Sequence, residues 1–187
     1  MKASLAYLYR GEHGHAAACL CRAEALLEED TWMRWRWHFV LPCALGELAL
    51  AQGRYDEAWT YASQSLELAA RSDSRKYVAR AQLLQGETLA ARGRLETAAE
   101  TLAVAIRLAE QISTPREVWL GKTALGKVLA RRGMDREAEA QFTQATQVIE
   151  AIATKLRTPR LRHSFLGAAP VVDLYRTLGH RPPLAMP

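Results

Sequence analysis

Cysteine is scarce in this chain, long apolar runs are missing, and no glycine-rich loop occurs. Each absence removes a class of function. Three cysteines among 187 residues, Cys19, Cys21 and Cys43, make no disulfide framework and suit a reducing compartment such as the cytoplasm. No apolar stretch approaches the about 18 residues that suggest a membrane span. The start Met1-Lys2-Ala3-Ser4-Leu5 leads into no continuous apolar stretch with a cleavage site, so no signal peptide is expected. A phosphate-cradling loop, a nucleophile elbow and a His-Glu-x2-His pair are all absent, and no acid, base and nucleophile converge. The expectation is a non-enzymatic protein without a cofactor. His13-x-His15-x3-Cys19-x-Cys21 gathers ligand types, yet Cys19 and Cys21 point to different sides of a predicted helix. His15 and Cys19 alone do not make a structural zinc site, so no metal is expected, with buried cysteines and exposed turn histidines instead.

Charge is unevenly placed. The net charge of +5 equals that of the segment from Ala151 onward, where Lys155, Arg157, Arg160, Arg162, Arg176 and Arg181 face Asp173 alone. The preceding residues balance. Alanine is abundant and arginine outnumbers lysine, which is the composition of a GC-rich bacterial gene.

What is present is repetition. Gly46, Gly86 and Gly126 stand 40 residues apart, as do Gly53, Gly93 and Gly133, and Ala58, Ala98 and Ala138. Ser65, Ala105 and Ala145 keep the same step. A fixed period of this length marks a solenoid of stacked units, each burying its apolar face on its neighbours. Within a unit the pattern predicts two helices. One covers about Ser74 to Arg92 and stops at Gly93, and a second covers Leu95 to Glu110 with Ala98, Leu102, Ala105 and Ile106 on one stripe. Thr114-Pro115-Arg116-Glu117 reads as a capping box with proline at the first helical position. The preceding unit runs from about Thr31 to Gln52, turns at Gly53 and continues through Tyr55, Ala58, Ala62 and Leu66. A fainter first copy places Leu5, Ala6, Tyr9, Ala18, Ala25 and Leu26 by the same step, with Gly14 as its turn glycine. Gly46, Gly86 and Gly126 are expected to let paired helices approach closely, with Ala58, Ala98 and Ala138 meeting them.

Leu45-Gly46, Gly53-x-Tyr55-x2-Ala58 and Leu125-Gly126-x2-Leu129 with Gly133, Ala138, Phe142 and Ala145 resemble the tetratricopeptide (TPR) repeat over residues 2–152. Three departures stand out. Ala49 replaces the large residue found as Leu89 and Leu129 in the other copies. Pro42, Gln82 and Lys122 stand where the family has tryptophan, and Ala70, Glu110 and Glu150 lie near its closing proline. Without that proline the second helix runs on, which lengthens the unit from the usual ~34 residues. The resemblance implies an all-α helical-hairpin solenoid, a right-handed superhelix. It also implies a protein- or peptide-binding scaffold, like the long repeats at the C-termini of bacterial signalling ATPases, cyclases and transcription activators.

The expected organisation is an array of about four helix pairs over 1–152, capping helices over 153–179 and a disordered tail over 180–187. Leu161, Phe165 and Leu166 would pack one capping helix, and Pro170 would start another through Val171, Leu174, Tyr175 and Leu178 to Gly179. The first helix begins almost at Met1, as expected of the C-terminal part of a longer protein, of a chain read from a misassigned start, or of a genuinely short leading helix.

Two surfaces invite a functional reading. Trp32-Met33-Arg34-Trp35-Arg36-Trp37-His38-Phe39 places Trp32, Trp35 and Phe39 on one helical stripe, as core packing, with Trp35 or Trp37 the alternatives for facing a ligand. In TPR-like proteins the first helix of each pair lines a concave groove. Two rows with the 40-residue step fall on one side of those helices: Arg36, Lys76 and Arg116, then Glu47, Glu87 and Lys127. Between them lie Val40, Arg80 and Leu120, then Cys43, Leu83 and Thr123. The rows describe a groove for a peptide with an acidic end, or two solvated rims. The basic stretch at Arg157, Arg160 and Arg162, with the tryptophan run, gives the alternative of nucleic-acid binding, though no recognition motif accompanies it.

Overall fold

The computed structural model describes residues 2–29 and 37–183. Its helices in chain order are α1 (Lys2–Tyr9), α2 (His13–Glu29), α3 (Val40–Ala51), α4 (Tyr55–Arg71), α5 (Arg75–Ala91), α6 (Leu95–Gln111), α7 (Pro115–Arg131), α8 (Asp135–Lys155), α9 (Pro159–Leu166) and α10 (Ala169–Thr177). Among the described residues no strand occurs. Consecutive helices pack as antiparallel pairs, and each pair stacks on the next, so the core is a ladder of small clusters.

The turns set that geometry. Gly53, Gly93 and Gly133 take φ of 75°, 80° and 76°, the left-handed region that glycine enters at no steric cost. There the N–H of the following residue closes on a carbonyl of the last helical turn, as Arg94 N–H does on Leu89 O at 2.9 Å. The links from α4 to α5 and from α6 to α7 use the same bend without glycine, at Asp73 (φ 48°) and Ser113 (φ 53°).

The glycines at Gly46, Gly86 and Gly126 mark close approaches; Ala58 meets Gly46 as expected, its O 3.3 Å from a Cβ placed there, while the partners of Gly86 and Gly126 differ from the expected alanines. A Cβ on Gly86 would stand 2.6 Å from Leu102 Cγ, and one on Gly126 would meet the Phe142 ring. At Gly46 it would reach Leu84 Cδ2 of the next pair at 2.6 Å. Ala58, Ala98 and Ala138 are buried beside these contacts. At Gly86 and Gly126 the residue one turn further along the second helix fills the gap.

The first pair departs from the 40-residue step. Its turn glycine is Gly11, with φ 72°, while Gly14 lies inside α2. Gly11 precedes Gly53 by 42 residues, so the register slips by two. The slip puts Ser4 in the place of Gly46 and Ala16 in the place of Ala58, and both are buried. Ala18, Ala25 and Leu26, expected as packing positions, are exposed. Cys21 is likewise exposed rather than buried.

At Thr114 the helix begins as expected, but no capping box forms. Thr114 Oγ1 donates back to Ala109 O at 3.1 Å, and Glu117 turns inward, 2% exposed. Beyond α8 the chain folds back. Leu166 and Phe165 pack against the last pair with Val171, Leu174 and Tyr175. Leu161 is 57% exposed, contrary to the packing role expected of it. Of the tryptophan run, Phe39 is buried with its ring 4.8 Å from that of Tyr77, and Trp37 packs against that cluster. Trp32, Trp35 and Arg36 lie outside the described residues, as does the tail from 184 onward.

Candidate functional site

The first helices of the four pairs, α1, α3, α5 and α7, face a common concavity. It holds a cavity of about 210 Å³ and, toward α10, a second of about 520 Å³, with Tyr9, Glu87 and Leu120 lining both. The 42-residue offset of the first pair explains which side chains arrive there. Leu5, Glu47, Glu87 and Lys127 share one register position; Tyr9, Ala51, Ala91 and Arg131 share the position one turn on, and all eight line the cavities. Helical spacing of four keeps both rows on one face.

Of the residues picked out in sequence, Glu47, Arg80, Glu87 and Arg116 surround the first cavity, and Lys127 lines the second with Glu87. Lys76 is exposed and lines neither, and Arg36 falls outside the described residues. Tyr9 was not legible as a groove residue from a 40-residue step. The signal that finds it is Gly11, which resets the register.

Charges in the concavity are mostly spoken for. Arg80 holds Glu47 with two hydrogen bonds, Nε to Oε1 at 2.8 Å and Nη2 to Oε2 at 2.7 Å, a planar bidentate pair between adjacent first helices. Burial works against the Arg80 charge, yet Glu47 more than offsets it and holds the proton more firmly than usual. Arg116 donates from Nη2 to the Tyr9 hydroxyl at 2.7 Å, joining α7 to α1 across the concavity. Its Nη1 stands 3.3 Å from Oε1 of the buried Glu117. Cys43 is buried beneath this layer, and burial pushes its thiol up to about 12, so it is an inert floor residue.

Glu87 and Lys127 are the exceptions among the described residues. More than a third of the surface of Glu87 is open to the concavity, and among the described residues it makes neither a hydrogen bond nor an ion pair. Desolvation by the surrounding walls pushes its carboxyl up to about 7, with Glu47 adding to the effect and Lys127 and Arg116 opposing it. Lys127 also lacks an ion-pair partner among the described residues.

The other sequence candidates are engaged elsewhere or dispersed. His15 Nδ1 lies 3.1 Å from Glu12 Oε2 and its ring sits 5.1 Å from Tyr7, which ties the start of α2 to α1. Arg162 donates to Ala153 O at 3.1 Å and Leu156 O at 3.0 Å, capping the end of α8. Arg157 and Arg160 are exposed. Among the described residues no helix is long and apolar enough to cross a membrane.

Residues 39–111 match the family model of the tetratricopeptide repeat. The crystal structure of a kinesin light chain candidate from Podosopora anserina, built of nearly identical TPR-like repeats, superposes with a TM-score of 0.55 at 17% identity, covering 95% of this chain and 84% of that one. A second crystal structure of that protein, carrying a single substitution, gives 0.54 at 17% identity with the same coverage. No curated protein matches the chain. The helix pairs, their glycine turns, the match over residues 39–111 and the shared fold lead to one conclusion: the chain folds as a TPR-like helical solenoid, and its residues 39–111 match the tetratricopeptide repeat.

Proposed function

We propose that the chain is a non-enzymatic scaffold that holds a peptide segment of a partner protein in its concavity. Tetratricopeptide repeats are protein-interaction modules, and the observation that carries the reading here is the pair of adjoining cavities along α1, α3, α5 and α7. Their walls combine leucines with a few fixed polar groups, the composition of a groove that gains affinity from burial and selects by charge. An extended or helical segment suits the run of the two cavities better than a compact ligand does. Lys127 and Arg131 at the second cavity offer cations to an acidic portion of such a segment. The setting we infer is the interaction or sensing region of a bacterial signalling or regulatory protein, acting in the cytoplasm, with upstream parts of a longer chain as one source of the bound segment. That setting rests on the length of the repeat and on composition.

Ala51→Trp and Ala91→Trp test the reading. Both side chains line a cavity from positions that are exposed or half-buried, so an indole there fills the groove without entering the core. In an affinity capture from native lysate, with and without nuclease, the expected result is a protein retained in both halves and lost in both variants, whose melting temperatures stay near wild type. Material that disappears with nuclease would move the functional centre to the basic segment around Arg157 and Arg160.

A further inference from the structure

Three carboxylates line the concavity: Glu47 and Asp173 are matched by Arg80 and Arg176, and Glu87 is matched by no cation among the described residues. Glu47 of α3 is held bidentately by Arg80, 33 residues later, from the neighbouring first helix. The same step from Glu87 arrives at Leu120. Leu120 lines both cavities together with Glu87 and brings no donor. Glu87 thus repeats the acidic half of the Arg80–Glu47 pair while the chain omits the basic half.

The neighbouring cations do not take that role. Arg116 is turned to the Tyr9 hydroxyl at 2.7 Å and to Glu117 at 3.3 Å. Lys127 is exposed, on a flexible four-carbon stem, and pairs with nothing among the described residues. Beside Glu87 the wall is apolar, with Leu83, Leu84 and Leu120, and the Tyr9 ring closes the side toward α1. A carboxylate at the end of an apolar slot matches a long side chain with an aliphatic stem and a cationic head.

We propose that Glu87 is the anchor of a subsite for an arginine side chain of the bound peptide, whose guanidinium takes the place that the repeat register assigns to residue 120 and whose stem lies along Leu83, Leu84 and Leu120. The proposal rests on the reading of the concavity as a peptide site. It adds to that reading the chemistry of one residue of the occupant. Charge complementarity argues for it: a guanidinium returns to Glu87 the bidentate partner that Glu47 already has. Arginine fits better than lysine because both carboxylate oxygens can be used at once.

The test uses random twelve-residue peptides displayed on phage, selected on the full chain, with the selected sequences synthesised and titrated by fluorescence anisotropy. The expected result is a selected set sharing one arginine position. Replacing that arginine by citrulline, which keeps the shape and removes the charge, should weaken binding tenfold or more. Glu87→Gln should weaken the arginine peptide by a similar factor and leave the citrulline peptide unchanged. Leu120→Arg should abolish binding of the arginine peptide, because the chain then supplies the missing partner itself. Selected peptides with no common cation, or a citrulline exchange without effect, would overturn the Glu87 subsite while leaving the groove in place. Free arginine amide binding as tightly as the peptide would replace the peptide by a small-molecule ligand and overturn the proposal in that form. If no peptide is enriched over a heat-denatured control, the groove reading falls and takes the subsite with it.

Discussion

At Gly86 and Gly126 the backbone of a first helix rests against a side chain of its partner, and a methyl group has no room. A Cβ on Gly86 would press on Leu102 Cγ at 2.6 Å, a branch point that cannot swing aside as a chain end can. Gly86→Ala should therefore cost ~1–3 kcal/mol through overpacking, read from urea midpoints with an unchanged slope. Gly46→Ala should cost a similar amount, since its new methyl would meet not only the terminal Leu84 Cδ2 at 2.6 Å but also Tyr61 Cβ at 3.1 Å and Ala58 O at 3.3 Å. Titration decides a second case. Folding raises the Glu87 carboxyl from 4.5 to about 7, so the folded chain binds the extra proton between those values. Stability contributed by this group falls as pH climbs through that window, and the loss is complete above about 7. The groups that face it are Tyr9 from α1, Glu47 from α3, and Arg116 and Lys127 from α7. Glu87→Gln removes the titration while keeping the shape. The melting temperature of the variant relative to wild type should rise from pH 4 to pH 8; a difference flat with pH would refute the assignment.

Among elements, the ends of helices and the links between pairs decide how the array is built. Arg162 of α9 donates two hydrogen bonds to carbonyls at the end of α8, to Leu156 O and to Ala153 O, which also accepts the Leu156 N–H at 3.2 Å. Arg162→Ala should speed amide exchange through α9 and the last turn of α8 while leaving α5 and α6 at wild-type protection, a local cost of ~1–3 kcal/mol. The central elements were legible because a fixed step repeats the glycine that ends each first helix, and α5 and α6 fall within a residue of where periodicity places them. The first pair was not, because two extra residues before Gly53 break the step, and glycine content alone cannot choose between Gly11 and Gly14. Thr114 shows another limit: threonine and glutamate three apart spell a capping box, yet Glu117 is drawn into the interior beside Arg116. Nor could a pattern of register positions reveal that Arg80 reaches Glu47, since that contact depends on the angle between neighbouring first helices. The groove rows were legible as positions and not as partners.

For the whole molecule, the consequence lies in how the ends of the array meet. A solenoid in which each unit touches only its neighbours loses stability unit by unit, and its terminal pair frays first. Here Tyr9 and Arg116 are 107 residues apart in sequence and share a hydrogen bond of 2.7 Å, so the first helix is tied directly to the fourth first helix. That bond closes the concavity and couples the frame of the groove to α1. Tyr9→Phe removes only the hydroxyl, keeps the ring against the apolar wall and leaves Arg116 its contact with Glu117, so the variant should fold. Its expected signature in hydrogen exchange is a fall in protection of α1 and α2 by about ten- to a hundredfold, the loss of one hydrogen bond to a charged group, with α5 through α8 unchanged. A ligand that spans the two cavities should restore the lost protection, because it would bridge α1 and α7 in place of the hydroxyl. If α1 and α2 exchange alike in wild type and Tyr9→Phe, neighbour contacts alone hold the first pair and the groove is open at that end. A drop shared by every helix would instead mean that the array unfolds as one unit, with Tyr9 acting on the stability of the whole.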